Sequence, residues 1–262
     1  MRQSWGDFLK GAGTHSHGVQ VYEDAQDLSD SVASYIAAGF ERDQPGVLVA
    51  TPEHLSMFAE RLASRGWAVE DAQSAGRLVV ADAEETLAEI LGSEGVDRVR
   101  FEQAVDGMLD RVRPAPDSRP VRVFGEMVDL LCRRGQPNVA DELERLWNAL
   151  AAARRFSLLC GYRLDVFDSQ TQIETLPDIC REHSHVLPAR NYPRFARAVD
   201  SALREVLGPN QAATVYVLVS REVGHDQVPL AQSILMWVSE NLPTQSSQIL
   251  ASARAHYARP VA

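Results

Sequence analysis

Lysine is almost absent from this sequence, because Lys10 is the only lysine among the 26 basic residues and the other 25 are arginines. A nucleotide-hydrolysing P-loop ends in Lys-Ser or Lys-Thr, since backbone amides cradle the phosphates and the lysine neutralises them. Lys10 precedes the first predicted strand, and the corresponding strand-to-helix turn has the sequence A-T-P-E-H. The sequence therefore argues against ATP hydrolysis.

Other catalytic and targeting signatures are missing as well. No G-x-G-x-x-G follows a strand and no nucleophile elbow is present, so dehydrogenase and hydrolase functions are unsupported. A net charge of -10 without a basic run argues against direct nucleic-acid binding. Three cysteines, with no secretory leader and no long apolar run, are typical of a reduced cytoplasmic protein without a membrane partner. We expect a cytoplasmic, non-enzymatic protein.

The apolar pattern that is present alternates between strand and helix. G-V-Q-V-Y, G-V-L-V-A and R-L-V-V-A are short β-forming runs, and each is followed by residues with helical spacing. The stretch from Pro120 to Phe167 adds V-R-V-F-G, a helix with apolar positions at helical spacing, and F-S-L-L-C-G. Because each crossover is long enough for parallel pairing, this pattern predicts an α/β fold with a doubly wound, mostly parallel sheet flanked by helices.

Three segments follow from the change in pattern along the chain. Residues 1–16 contain few core residues and are predicted as a flexible lead, and residues 17–188 as the α/β domain. Residues 189–262 are predicted as a helical C-terminal region, with a strand as the alternative for A-T-V-Y-V-L-V-S within it. Short helices rarely persist without packing partners, so the tail is expected to dock on the α/β domain or to build a homodimer.

The polar residue Glu126 follows a predicted strand and Gly125. Ligands of open parallel sheets bind outside the carboxyl ends of the strands, so Glu126 is a candidate for binding a small molecule in a crevice there. The alternative is a structural role, in which Glu126 acts as a cap or pairs with an arginine such as Arg122 or Arg163.

Three further candidates lie at predicted strand ends. Tyr22 and Tyr162 combine an apolar ring with a hydrogen-bonding tip, which suits the wall of a pocket. Thr51 begins a helix and could bind an anion through the helix N-terminus, although Glu53 would oppose an anion. Trp147 has the helical spacing of a core residue and is expected in the core rather than as a ligand platform.

Histidines occur in two H-x-H pairs, and Cys180 lies three residues before the second. His17, His183 and His185 are the candidate metal ligands, and His17 is also a candidate for binding the small molecule. Such clusters bind zinc, copper or haem, but structural or solvent-facing histidines and a pH or ligand switch are the alternatives. The sequence leaves the cofactor undetermined.

These segments together resemble the MEDS family, the methanogen and methylotroph sensory domains typified by a dichloromethane-responsive regulator. The resemblance rests on G-V-Q-V-Y, A-T-P-E-H, F-G-E-M-V-D-L-L, L-E-R-L-W-N, F-S-L-L-C-G-Y and H-S-H-V, which occur in the family's order over about residues 15–188. It implies a RecA- or KaiC-like fold without ATPase machinery and a signal-input role for small hydrocarbon derivatives. It also implies a regulatory partner, namely a kinase, an anti-sigma factor or a transcription factor, but the helical tail resembles none of these outputs. A metal- or haem-binding sensor and a degenerate RecA-like ATPase remain the alternative functions.

Overall fold

The computed structural model of the protein describes residues 5–93, 95–112, 119–187, 191–222 and 228–259. The chain divides into two compact units, Met1–Arg163 and Leu164–Ala262. The sequence placed the domain boundary near residue 188, which lies outside the described residues, and that boundary stays a prediction. The predicted loop P-A-P-D-S-R-P likewise lies largely outside them.

The first unit alternates strands with helices. Its elements are α1 Trp5–Gly11, β1 His17–Tyr22, α2 Ala25–Phe40, β2 Gly46–Ala50, α3 Pro52–Ala63, α4 Val69–Ser74, β3 Leu78–Asp82, α5 Ala83–Ile90, α6 Arg98–Val112, β4 Val121–Gly125, α7 Met127–Arg133, α8 Pro137–Ala153 and β5 Phe156–Arg163. Within this unit the strands pair in the order β3-β2-β4-β5-β1, and every pair is parallel. The predicted parallel α/β fold is confirmed.

Helices cover both faces of these strands. Neighbouring strand residues point to opposite faces, and Phe156 and Ser157 of β5 show which helix lies where. Phe156 packs against Trp147 of α8 with ring centroids 6.1 Å apart, whereas the Ser157 hydroxyl lies 2.6 Å from the Tyr35 hydroxyl of α2. The α2 and α8 helices therefore lie on opposite faces, which is the doubly wound arrangement predicted from the sequence.

Residues 5–11 form helix α1, whereas the sequence predicted a flexible lead over residues 1–16. Phe8 and Leu9 are buried, and the Phe8 ring occupies the space that a Cβ at Gly18 would fill. The buried guanidinium of Arg122 in β4 donates to the carbonyls of Leu9 and Lys10, at the end of α1. A cation at a helix C-terminus satisfies carbonyls that have no partner within the helix. This contact fixes a segment that has too few apolar residues to be predicted as folded.

The second unit is mainly helical. It contains a π-helical turn at Thr171–Thr175, α9 Leu176–Glu182, β6 His185–Leu187, α10 Tyr192–Leu207, α11 Pro209–Glu222, α12 Leu230–Asn241 and α13 Pro243–Ala258. Helices α10 to α13 share an apolar core that includes Phe195, Ile234 and Ile249. The stretch A-T-V-Y-V-L-V-S lies within α11, which buries Ala212, Val215 and Val219 at the helical spacing i, i+3 and i+7.

None of the helices among the described residues combines the length and the apolar character that crossing a lipid bilayer requires.

Candidate functional site

The side chain of Glu126 lies at the carboxyl end of β4 and is fully buried. One carboxylate oxygen accepts the backbone N–H of Thr51, and the other lies 2.5 Å from Nδ1 of His54. This contact is a hydrogen bond between the Glu126 carboxyl group and the His54 ring. Glu126 thus accepts the N–H at the N-cap of α3, which is a capping contact of the kind that the structural alternative describes. The Arg122 guanidinium donates to the end of α1, and the Arg163 backbone N–H donates to Asp129.

Neighbouring strands bring Glu126 to Thr51 and His54. Strands β2 and β4 are adjacent, with Val49 opposite Gly125, so the turn after β2 meets the end of β4. Thr51 precedes α3 as its N-cap, and its side chain makes no capping hydrogen bond. His54 lies in the first turn of α3 and points back to the same carboxylate. Thr51 therefore contributes its backbone to the site, as a donor to a fixed carboxylate.

Tyr22, at the end of β1, lies beside these groups and is 4% exposed. Its ring meets that of His54 edge to face, with centroids 5.9 Å apart. The Tyr22 hydroxyl has no hydrogen-bond partner among the described residues. Burial, followed by the charges of Asp129 and Glu126, raises the pKa of Tyr22, which keeps the hydroxyl protonated as a donor.

A second buried carboxylate, Asp129, belongs to the same edge. Its Oδ1 accepts the backbone N–H of Arg163 at 2.9 Å, and Nε of Arg133 lies 2.9 Å from Oδ2. Burial raises the pKa of Asp129 despite these donors. We call Tyr22, His54, Glu126 and Asp129 the edge cluster.

The edge cluster favours some ligands over others. Two carboxyl groups oppose an anion, and the Thr51 N–H that a phosphate would need at the start of α3 is bound to Glu126. The Tyr22 hydroxyl offers one hydrogen bond to an acceptor. The arrangement suits a small neutral or cationic molecule better than a nucleotide.

A different group of polar side chains is buried on the other face of the strands, against α8. Tyr162 is opposite Val21 in the parallel register, so Tyr162 and Tyr22 point to opposite faces. The Tyr162 hydroxyl donates to Oε1 of Glu144 at 2.6 Å. The structure therefore does not place Tyr162 in the edge cluster, although both tyrosines lie near strand ends.

His17 belongs to this second group. Its Nε2 is 3.3 Å from Sγ of Cys160 and 3.4 Å from Oε2 of Glu144. On the other side of the ring, Nδ1 is 2.8 Å from Oδ1 of Asn148. We call His17, Glu144, Asn148, Cys160 and Tyr162 the inner cluster. Burial, followed by the charge of Glu144, raises the pKa values of both Cys160 and Tyr162.

The other predicted histidines lie in the second unit. His183 Nδ1 donates to the carbonyl of Ile179 at 2.7 Å, and Ser184 Oγ lies 2.9 Å from His185 Nδ1. Burial lowers the pKa of His183 to about 4 and also lowers that of His185, so both rings are neutral near pH 7. The convergence of His183 and His185 with His17 around a metal stays a prediction.

The sequence did not identify His54 and Asp129 as members of the edge cluster, but it correctly placed Trp147 in the core. His54 ends the quoted motif A-T-P-E-H, and Asp129 follows Glu126 by three residues, on the same side of the first turn of α7. Both residues stand close to selected positions in the sequence. Their relation to the site becomes clear only when β2 is known to lie beside β4. Trp147 is buried against Phe101 and Phe156, as predicted for a core residue.

A family model described as "MEthanogen/methylotroph, DcmR Sensory domain" matches residues 16–183, more than half of the chain. A search of curated proteins finds no match. The matched residues include β1 to β5 and every residue of the edge and inner clusters, and a sensory domain suggests a signal-input role. The chain therefore belongs to the MEDS family of sensory domains.

Proposed function

We propose that this protein is a non-enzymatic cytoplasmic signal-input protein that binds a small molecule at the edge cluster and relays binding to a regulatory protein. The observation that carries the proposal is the buried Tyr22 hydroxyl, which has no partner among the described residues and lies beside two buried carboxyl groups. The family supports the sensory role, and the cluster supports the location of the ligand.

The Tyr22 hydroxyl is costly to bury in the free protein. A buried donor without an acceptor costs about 1–3 kcal/mol, so a ligand atom that accepts this hydrogen bond recovers a sizeable free energy on binding. An interaction that is missing in the free protein and present in the complex contributes directly to affinity. Tyr22 is thus the residue whose hydroxyl should matter more for binding than for folding.

The apolar part of the ligand has aromatic neighbours. The His54 ring stacks on Phe58 with centroids 5.8 Å apart, and Phe58 meets Phe124 edge to face at 5.2 Å. A site with an aromatic wall, one hydroxyl donor and two carboxyl groups fits a small apolar molecule that carries one acceptor or one cationic group. A short hydrocarbon derivative, such as an alcohol, a ketone, an amine or a halogenated methane, has this chemistry.

The test compares Y22F with Y216F, which removes a hydroxyl from a half-buried tyrosine of α11 in the second unit. Melting temperatures of the full chain are measured with and without ethanol, acetone, methylamine and dichloromethane, and native mass spectrometry of the purified protein reports any molecule that remains bound. We expect at least one probe to raise the melting temperature of the wild type and Y216F but not that of Y22F. Without ligand, Y22F should melt no lower than the wild type, because the lost hydroxyl had no partner.

Two results would count against this proposal. If Y22F unfolds at a clearly lower temperature without ligand, the hydroxyl has a structural partner. If Y22F responds to every probe as the wild type does, Tyr22 does not contact the ligand.

For the output, we propose that the helical second unit relays the bound state to a kinase, an anti-sigma factor or a transcription factor, or acts as a homodimer. Its shared core supports the view that it folds as a unit, and Val217 of α11 leaves half of its side chain exposed. Native mass spectrometry of the full chain reports subunit number, and V217E should lower that number if α11 forms the contact between subunits. A monomeric wild type would remove the homodimer from this proposal.

A further inference from the structure

We propose that His17, Glu144 and Cys160 of the inner cluster form a binding site for a divalent transition-metal ion, with zinc as the expected metal. This site is separate from the edge cluster, because its side chains lie on the opposite face of the strands. The inference therefore stands or fails independently of the proposed ligand site.

The three donor atoms lie at distances that suit a bound metal ion. His17 Nε2, a Glu144 carboxylate oxygen and Cys160 Sγ all lie within 4.8 Å of one another, with the imidazole nitrogen 3.3 Å from the sulfur and 3.4 Å from Oε2. Zinc bonds of about 2.0–2.3 Å in a tetrahedral arrangement place neighbouring ligand atoms about 3.3–3.6 Å apart. An ion between these atoms would need little movement of the side chains.

Asn148 and Tyr162 orient two of the three ligands. If His17 Nδ1 donates to Asn148 Oδ1, the lone pair of a neutral ring lies on Nε2, the atom that faces sulfur and carboxylate. The Tyr162 hydroxyl binds Oε1 of Glu144, so that Oε2 is the oxygen turned toward His17. Hydrogen bonds of this kind to the far atoms of metal ligands fix tautomer and orientation in zinc sites.

The charge and the chemical type of the three ligands also favour a transition-metal ion. All three side chains are at least 96% buried, and a carboxylate and a thiolate in such a place are stabilised by a dication. Imidazole and thiolate select zinc and other transition metals, whereas magnesium and calcium require mainly oxygen ligands. The combination of nitrogen, sulfur and oxygen therefore identifies the class of ion.

Metal binding at this site exchanges protons. Burial and the nearby carboxylate raise the pKa of Cys160, so without a metal the thiol keeps its proton. The ion forms a bond to the sulfur as the S–H bond breaks, and the proton leaves to solvent. One proton is therefore released from the thiol for each ion bound.

The experiment uses the full chain, purified without chelator and then equilibrated with Zn²⁺ and, separately, with Co²⁺. Elemental analysis after desalting gives the number of ions per chain, and a sulfur-to-cobalt charge-transfer band in the near ultraviolet shows a thiolate ligand without any mutation. C160S, H17Q and E144Q each remove one ligand. C132S and H15Q are the matched controls, because they replace a cysteine and a histidine outside the three ligands.

We expect one ion per chain and the charge-transfer band in the wild type, C132S and H15Q. In C160S the band should disappear, and Zn²⁺ affinity should fall at least tenfold in C160S and H17Q. The proposal is overturned if the wild type retains no Zn²⁺ and gives no charge-transfer band with Co²⁺, because the inner cluster is then a hydrogen-bonded group only. It is equally overturned if C160S and H17Q bind Zn²⁺ as tightly as the wild type.

Discussion

Replacing Arg122 by methionine should strongly destabilise the first unit. The Arg122 guanidinium is buried, and it donates to the carbonyls of Leu9 at 2.6 Å and Tyr35 at 2.9 Å, both within the interior. It also donates to Gln44 Oε1 and to the carbonyl of Lys10, each at 2.9 Å. Methionine is close to arginine in length but donates no hydrogen bond, so four acceptors lose their donor at once.

The size of the effect follows from these bonds. Each interior carbonyl left without a donor costs about 1–3 kcal/mol. Burying the charged guanidinium is itself unfavourable, as the lowered pKa of Arg122 shows, and methionine removes that cost, which offsets part of the loss. We expect R122M to lower the free energy of unfolding by about 3–5 kcal/mol, a large part of a typical total of about 5–15 kcal/mol. R122K keeps the charge but not the planar fork, and should fall between R122M and the wild type.

Urea unfolding of the full chain, followed by circular dichroism, measures these differences. R119M is the control, because Arg119 is exposed and donates to the carbonyl of Asp43 at 3.1 Å, and its loss should cost less than about 1 kcal/mol. Hydrogen exchange should show faster exchange in α1 of R122M, since two of the lost bonds end on that helix. If R122M unfolds within about 1 kcal/mol of the wild type, the argument that Arg122 holds α1 to β4 is refuted.

Three further predictions concern titration and metal binding. Burial raises the pKa of Asp129 above its usual 3.8, so the folded protein binds this proton more tightly than the unfolded chain, and the associated stability is lost as pH rises through the raised pKa. D129N keeps an acceptor for the Arg163 N–H, and its free energy of unfolding should therefore fall less than that of the wild type over this range; an identical pH profile would contradict the assignment. Burial raises the pKa values of the partly exposed Cys132 and Cys180 to about 12, so iodoacetamide at pH 8 should label the native thiols much more slowly than in urea. Similar labelling rates would contradict these raised pKa values. If His183 and His185 join His17 at a metal, as the sequence predicts, H183A and H185A should each weaken Zn²⁺ binding, and unchanged affinity would remove them from the site.

The sequence predicted the strands and most helices because apolar periodicity is local. Helices α10 and α12 lie in the region that was predicted as helical, and each presents an apolar stripe that a short window of residues reveals. Helix α1 was missed because its stability depends on Arg122, more than a hundred residues away in the chain. Arginine is rarely buried, so no local pattern signals such a contact.

The candidate site was predictable only where local position was enough. Thr51 and Glu126 were both selected as strand-end residues, but their contact depends on β2 lying beside β4, and strand order is not encoded in local periodicity. Tyr22 and Tyr162 looked equivalent for the same reason. They point to opposite faces of the strands because Tyr22 lies one residue beyond Val21, the residue opposite Tyr162. That offset is known only once the register of β1 and β5 is known.

Glu126 has a mechanical consequence for signalling, because it connects the starts of two helices. Its backbone forms the N-cap of α7, and its carboxylate holds the N-cap of α3 through the Thr51 N–H. A ligand that competed for this carboxylate would release the first turn of α3 and alter the first turn of α7 in one step. Helices α3 and α7, which follow different strands, would then change together. Binding at one carboxylate would thus alter the domain in two places.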